Sequence, residues 1–389
     1  MTIPFYKVEI QTLNSDGTYN TAVDITDYVL LGRVGNISQS VDAGDYDIGL
    51  YVYSDVTIVL SNFNGLFSSE KFGSSMFHFT RDRAKVEIIF EEGSEYISFK
   101  GIINDEATRE DFNNGTVSLK VLSQDSILRK TKVSGGVIAD GNTLSEAIKS
   151  ILNLPSITSV LGYDAGKISV GVDVEIDDAS VFTDKSTKEV LGLLLNASGS
   201  IFRIDSNNDM VVATRAANAV SNLLLYGNDL AGRDNIIEIK NYNEGLQRAF
   251  NVITVNGQTS TDEDFVGEYG ARIKEFDFDF ITTTSKAQEI GSYLLEQFKT
   301  PKRELEVTVA VSTAKEIEVL DPVTVSYSRQ YIGWENNKIP LYGTALYGAD
   351  VYPFAGSKGA NISNAIDWKV TQIKKDTNKF ETILRLREA

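Results

Sequence analysis

A period-two alternation of apolar and polar residues fills the first third of this chain, returns in its last third, and limits the fold more than any other feature. Tyr6, Val8 and Ile10 alternate with Lys7 and Glu9, and the same spacing recurs at Val56, Ile58 and Leu60, at Val86, Ile88 and Phe90, and at Val117, Leu119 and Val121. Successive side chains of a strand point to opposite faces, so such runs form half-buried strands and place apolar residues all round any helix. Turn residues separate the runs, at Asn14, Ser15, Asp16 and Gly17, at Gly93 and Ser94, and at Asn113, Asn114 and Gly115. Residues 1–130 therefore read as an all-β domain, a barrel or a sandwich with antiparallel pairing.

The rhythm then changes. Leu144, Ile148, Ile151 and Leu152 share a helical face behind a Thr143 and Glu146 capping box, and Pro155 stops the run. Ser186 and Glu189 repeat the capping box before Val190, Leu191, Leu194 and Leu195, with Gly199 where a left-handed residue ends a helix. Two apolar runs around Ser206, Asn207, Asn208 and Asp209 read as a hairpin, so residues 131–232 form a small α+β domain. Strand spacing resumes over 233–325 and 366–389, interrupted by one helix that Ser285 and Gln288 cap and Pro301 closes. Phe276, Phe278 and Phe280 alternate with Glu275, Asp277 and Asp279, which predicts a strand with one apolar and one acidic face. Residues 326–365 have neither period and read as a Tyr- and Gly-rich insertion loop. A faint echo links two hairpins, one turning at Asn113, Asn114 and Gly115, the other at Asp376, Thr377 and Asn378.

Composition narrows the chemistry. The 389 residues suffice for two to four domains at about 150 each. With no cysteine, the chain has no disulfides, thiolate metal sites or cysteine nucleophiles, and folding in a reducing cytoplasm is permitted. One histidine, His78, stands between Phe77 and Phe79 and reads as a packed residue, not a base. A net charge of −17 opposes specific nucleic-acid binding. No run approaches the roughly 18 to 20 apolar residues of a transmembrane segment, and no export signal is recognisable.

No catalytic, cofactor-binding or metal-binding residue is expected. Asp205, Asn207 and Asp209 have the spacing of a calcium loop's opening, yet Met210 stands where that loop needs Gly and Ala216 where it needs Glu, so a β-turn fits better. Asp42, Asp45 and Asp47 fit a solvated loop between glycines. Glu275, Asp277 and Asp279 read as a solvated strand face, or as a negative wall past which nucleic acid slides without adhering. Tyr331, Trp334, Tyr342, Tyr347, Tyr352 and Phe354 of the insertion offer large contact area for a partner protein or a sugar, or pack on their own domain.

Three stretches in fixed order resemble the hub proteins at the distal end of long phage tails, the baseplate and tail-tip hubs. The first is Asp24, Ile25, Thr26, Asp27, Tyr28 and Val29, leading through residues 37–40 to 55–62. The second is the helix at 189–197, then residues 199–205 and the strand ending at Arg215. The third runs from Glu268, Tyr269, Gly270, Ala271 and Arg272 through Phe280, Ile281 and Thr282 and the next helix to residues 301–311 and 321–325. The resemblance implies a fold that is mainly β with an α+β insertion, having two tube-like antiparallel β-barrel domains and a small α+β domain. It implies a homotrimer forming a pseudo-sixfold ring around the DNA exit channel, located at the tail tip of a virion assembled in the host cytoplasm. Partners would be the tail tube or a distal tail ring protein, spike or fibre proteins, and the tape-measure protein, with any peptidoglycan cleavage residing in other proteins. A carbohydrate-binding adhesin using the Tyr- and Trp-rich loop, and a carboxylate glycosidase, are the alternative readings.

Overall fold

The computed structural model describes residues 5–12, 19–43, 48–67, 84–92, 94–104, 107–205, 207–214, 223–227, 234–243, 248–328, 361–362 and 367–388. Ten strands come first: β1 (Phe5–Gln11), β2 (Val23–Asp24), β3 (Val29–Val34), β4 (Ile37–Ala43), β5 (Gly49–Tyr53), β6 (Val56–Ser61), β7 (Lys85–Glu91), β8 (Glu95–Ile103), β9 (Arg109–Asp111) and β10 (Thr116–Ser123). The predicted alternation is the observed burial: Val8, Ile10, Ile58, Leu60, Val86, Ile88, Leu119 and Val121 are fully enclosed in one core. Six strands pair in the order β1, β7, β8, β10, β6, β3. The path then returns to its start, because β2 pairs with β1 and leads through a 3₁₀ turn, Thr26–Tyr28, directly into β3. Thr26 fixes that corner: its Oγ1 accepts the N–H of Val8 at 2.9 Å, and Ile25 N–H donates to Val8 O at 2.9 Å. This is the first ring.

The helices and their companions form a separate body. It comprises α1 (Ile127–Lys130), α2 (Leu144–Leu152), α3 (Pro155–Thr158), α4 (Thr187–Ser198) and the hairpin β11 (Ser200–Ile204) and β12 (Met210–Thr214). Both predicted helix starts are as read: Thr143 and Glu146 close a reciprocal capping box, and Ser186 Oγ accepts the N–H of Glu189, with Gly199 left-handed at φ 61°. After β13 (Leu223–Gly227) and β14 (Ile236–Asn243), which belong elsewhere, come β15 (Val252–Val255), β16 (Gln258–Thr261), α5 (Glu263–Tyr269), β17 (Ile273–Phe276) and α6 (Thr284–Phe298). Ile253, Phe278, Phe280, Ile290 and Phe298 share one core with Leu144, Ile148, Leu191, Leu194 and Phe202. This later segment thus packs against the helical body.

Two local readings are corrected here. The helix over 284–298 is not capped by Ser285 and Gln288; its N-cap is Thr283, without a side-chain bond. A distant carboxylate substitutes, for Asp177 Oδ2 accepts the N–H groups of Thr282 and Thr283 at 2.7 Å each and its Oδ1 takes the Lys286 ammonium at 2.6 Å. Burial opposes ionisation, yet Lys286 and the two amides hold the Asp177 carboxyl well below the usual carboxylate range. The predicted strand through Phe280 ends at Phe276, because Asn256, left-handed at φ 47°, bonds the next residues through its side chain. Its Oδ1 accepts Phe278 N–H at 2.7 Å and its Nδ2 donates to Phe278 O and Ile281 O, so an amide stands where a strand neighbour would.

The last elements are β18 (Glu304–Ala310), β19 (Pro322–Ser328), β20 (Asn361–Ile362), β21 (Asp367–Asp376) and β22 (Glu381–Glu388). With β13 and β14 they form a second ring, in the order β13, β19, β21, β22, β18, β14. Asn235 closes it: its N–H donates to Tyr226 O, its Oδ1 accepts Tyr226 N–H at 2.7 Å, and its Nδ2 donates to Leu224 O, three bonds that tie the start of β14 to β13. Inside lie Leu225, Val307, Val309, Val323, Val325, Trp368, Val370, Leu384 and Leu386.

The two rings share one order of neighbouring strands. Taken in chain order, β1, β3, β6, β7, β8 and β10 correspond to β13, β14, β18, β19, β21 and β22, and each strand has the corresponding neighbours. The rings differ in the direction of one strand, since β1 runs antiparallel to β7 whereas β13 runs parallel to β19 and along the direction of β14. The fold is mainly β with an α+β insertion, as expected.

The hairpin β4 and β5 joins the parts. It leaves the first ring after Gly35 and Asn36, pairs with β21 of the second ring through Ile37, Ser38 and Gln39, and places β5 parallel to β11. The chain then re-enters the first ring at β6.

Candidate interaction surfaces

The turn between β21 and β22 seats on one mouth of the first ring. Phe380 stacks on Tyr6 with centroids 5.6 Å apart and planes at 15°, and Phe90 adds a tilted contact at 6.5 Å. Thr377 Oγ1 donates to Val34 O at 2.7 Å, Val311 N–H donates to Phe380 O, and Lys315 Nζ donates to Ser94 Oγ. Lys375 lies 4.8 Å over the Tyr96 ring, and burial pushes its ammonium down to about 8 while Glu318 pulls the other way. The rings thus meet through a rigid joint, with an aromatic side chain stoppering the first ring.

At the opposite mouth two phenylalanines are exposed. Phe63 and Phe112, on the turns after β6 and β9, are 79% and 78% exposed. Neither turn is loose: Asn62 N–H donates to Gly115 O at 2.6 Å, Asn62 Nδ2 to Glu110 Oε1 at 2.7 Å, and Asn62 Oδ1 accepts Phe67 N–H at 2.8 Å. Exposed phenyl rings on backbone turns held in this way are the geometry of a contact surface, since little backbone freedom remains to be lost on docking. Sequence reading missed both, although each sits in a visible turn, Asn62-Phe63-Asn64-Gly65 and Asp111-Phe112-Asn113-Asn114.

The acidic side chains Glu275, Asp277 and Asp279 are all exposed, and Phe276, Phe278 and Phe280 behind them are buried. Of the three, only Glu275 lies within a strand, since β17 ends at Phe276. Asp205 closes its turn by accepting the N–H groups of Asn207 and Asp209, and with Asp209 it binds the Lys167 ammonium at 2.9 and 2.7 Å, so those carboxylates already hold a cation of the chain itself. Among the described residues no group of three His, Asp or Glu side chains is placed to hold a metal ion. A cleft of about 40 Å³ between Tyr53, Ser98, Phe99 and Asn208 is water-sized. His78, Asp45, Asp47 and the insertion residues Tyr331, Trp334, Tyr342, Tyr347, Tyr352 and Phe354 lie outside the described residues.

The sequence matches no protein-family model and no curated protein. Solved structures do match over nearly the whole chain. A tail protein from Neisseria meningitidis MC58 superposes with a TM-score of 0.55 at 13% identity, covering 99% of this chain and 96% of that one. The fold is that of phage tail proteins. The 43 kDa tail protein of prophage MuSo2 from Shewanella oneidensis gives 0.52 at 13% identity, covering 99% and 97%. A chain of a PdpA–VgrG complex gives 0.50 at 10% identity, with all of this chain on 65% of that one. Both tail proteins span the two rings and the α+β body together, so the tail-protein fold extends beyond a single barrel shared by chance. Among the described residues no helix is long and apolar enough to cross a membrane.

Proposed function

We propose that the chain is a structural hub at the tail tip or baseplate of a phage particle, in which three copies form a pseudo-sixfold ring between a hexameric tail tube and distal spike or fibre proteins. The observation that carries this reading is the repetition of one six-strand neighbour order twice in a single chain, with only β13 reversed. Three such chains present six like units, which matches sixfold to threefold symmetry without a second gene product. The match to tail proteins across both rings supports the same reading. Its work is assembly and not catalysis: ring contacts template the tube, and the acidic exposed face at Glu275, Asp277 and Asp279 keeps passing DNA from adhering. The aromatic composition of the insertion at 326–365, with Tyr331, Trp334, Tyr342, Tyr347, Tyr352 and Phe354, makes it our candidate contact for spike, fibre or tape-measure partners.

Cryo-electron microscopy of particles carrying this chain with a small C-terminal tag tests the reading. Density for the tag at the distal tip in threefold symmetry is expected. A tag along the shaft, or in the head, rejects it.

A further inference from the structure

An extra residue in β8 re-aims a serine. Ile88 pairs with Phe99 and Ile89 with Ile97, so Ser98 stands between them as a bulge, outside the ladder. It is 4% exposed, and among the described residues its Oγ has no hydrogen-bond partner. A buried hydroxyl left in that state is costly, and native proteins seldom leave one.

Ser98 lines the cleft of about 40 Å³, where three parts of the chain meet. Beside it stand Gln124, which follows the last strand of the first ring, Tyr53 at the end of β5, and Asn208, left-handed at φ 69° in the turn between β11 and β12. The Tyr53 ring lies edge-on to Phe99 at 6.1 Å, and burial holds its hydroxyl far above the usual phenol range, so it remains a donor. Neither that hydroxyl nor the Gln124 side-chain amide makes a hydrogen bond among the described residues. Asn208 donates its Nδ2 to Val160 O at 2.9 Å, which leaves its Oδ1 as an acceptor. Unspent neutral groups from the first ring, the hairpin and the α+β body thus surround one small space.

The charges at the cleft are already committed. Asp205 accepts the N–H groups of Asn207 and Asp209 and holds Lys167 Nζ at 2.9 Å, and Lys100 faces Glu87 at 3.6 Å. An ion entering here would lose hydration without gaining a free counter-charge, so the occupant is neutral. At roughly 10–15 Å³ for each water, the space takes about two or three, and a water needs the two to four polar partners that this lining offers.

We infer that about two or three water molecules bind in this cleft as a fixed part of the protein, joining Ser98 of the first ring to Tyr53 of the hairpin and Asn208 of the α+β body. The seam differs in kind from the seat of Phe380, where aromatic rings meet directly. It is independent of the hub reading, since it concerns contacts within one chain.

The sign of one substitution tests it. With water on Ser98, Ser98→Ala removes a hydrogen bond and should raise the unfolding constant roughly 5-fold in chemical denaturation of the full chain. Without water the same change removes an unpaired buried atom and lowers that constant, which overturns the site. Tyr53→Phe should act in the same direction, and the double variant should fall short of the roughly 25-fold that independent losses give, because the two hydroxyls share water. Additive losses overturn the shared site. A crystal structure that resolves solvent should place a water within hydrogen-bond reach of both Ser98 Oγ and Tyr53 Oη. A dry cleft, a Ser98 hydroxyl bonded instead to another protein group, or an anomalous peak there from a bromide soak overturns the assignment.

Discussion

At the scale of single residues, the joint between the rings holds a phenylalanine in a backbone conformation that favours glycine. Phe380 sits at φ 55°, where a Cβ costs about 1 kcal/mol, and its ring stacks on Tyr6 in compensation. Replacing Phe380 with Ala keeps the strain and removes the ring, so we expect a loss on the order of 2 kcal/mol in chemical denaturation. Phe380→Gly removes both and should lie nearer to wild type by about 0.5–1 kcal/mol; equal losses in the two variants would mean that the stacking alone matters. Asp125 gives a pH signature. Buried to 3% exposure, with Oδ2 unpartnered and Ser123 Oγ donating to Oδ1, its carboxyl is pushed by burial up to about 6 from 3.8. A raised folded value means that its contribution is fully present below about 3.8 and is lost as pH rises through about 6. Asp125→Asn should therefore unfold at higher denaturant than wild type at pH 8, by on the order of 2 kcal/mol, with the gain vanishing by about pH 4. A gain independent of pH would show that packing, not charge, sets the effect.

At the scale of elements, what was legible in the sequence and what was not divides by the sequence distance of the stabilising partner. The starts of α2 and α4 were readable because Thr143 and Glu146, and Ser186 and Glu189, complete their bonds within one turn. The start of α6 was not, because its cap is Asp177, more than a hundred residues earlier. The end of β17 was hidden for the same reason, since Asn256 decides it. Asp177→Ala should cost about 1–2 kcal/mol, the range for loss of an N-terminal cap. Its depressed carboxyl makes that stabilisation present above the ordinary carboxylate value and lost as pH falls below it, so the variant and wild type should converge in acid denaturation. Asn235 is the sheet counterpart: a side-chain amide completes a ring that no pairing pattern could announce.

At the scale of the whole molecule, period-two runs revealed that strands dominate but not which sheet each would join. β3 and β4 are separated by only two residues, yet β3 pairs in the first ring and β4 in the sheet of the second. Alternation reports burial on one face and is silent about hydrogen-bonding neighbours, which here come from the far end of the chain. The same exchange governs stability. With β4 paired to both β5 and β21, opening the second ring strips β4 of its long-range partner, and opening the first ring frees the strands that anchor the hairpin at both ends. The amides of β4 in ladders with β21 should exchange with solvent at the same free energy as those between β21 and β22, measured by native-state hydrogen exchange. Exchange of β4 with the first ring alone, several kcal/mol below the second, would show two independently unfolding units joined by a loose hairpin. A shared value is what the proposed hub would require, because a joint softer than its rings would let the two halves of each protomer tilt and spoil the equivalence that the proposed ring of six like units depends on.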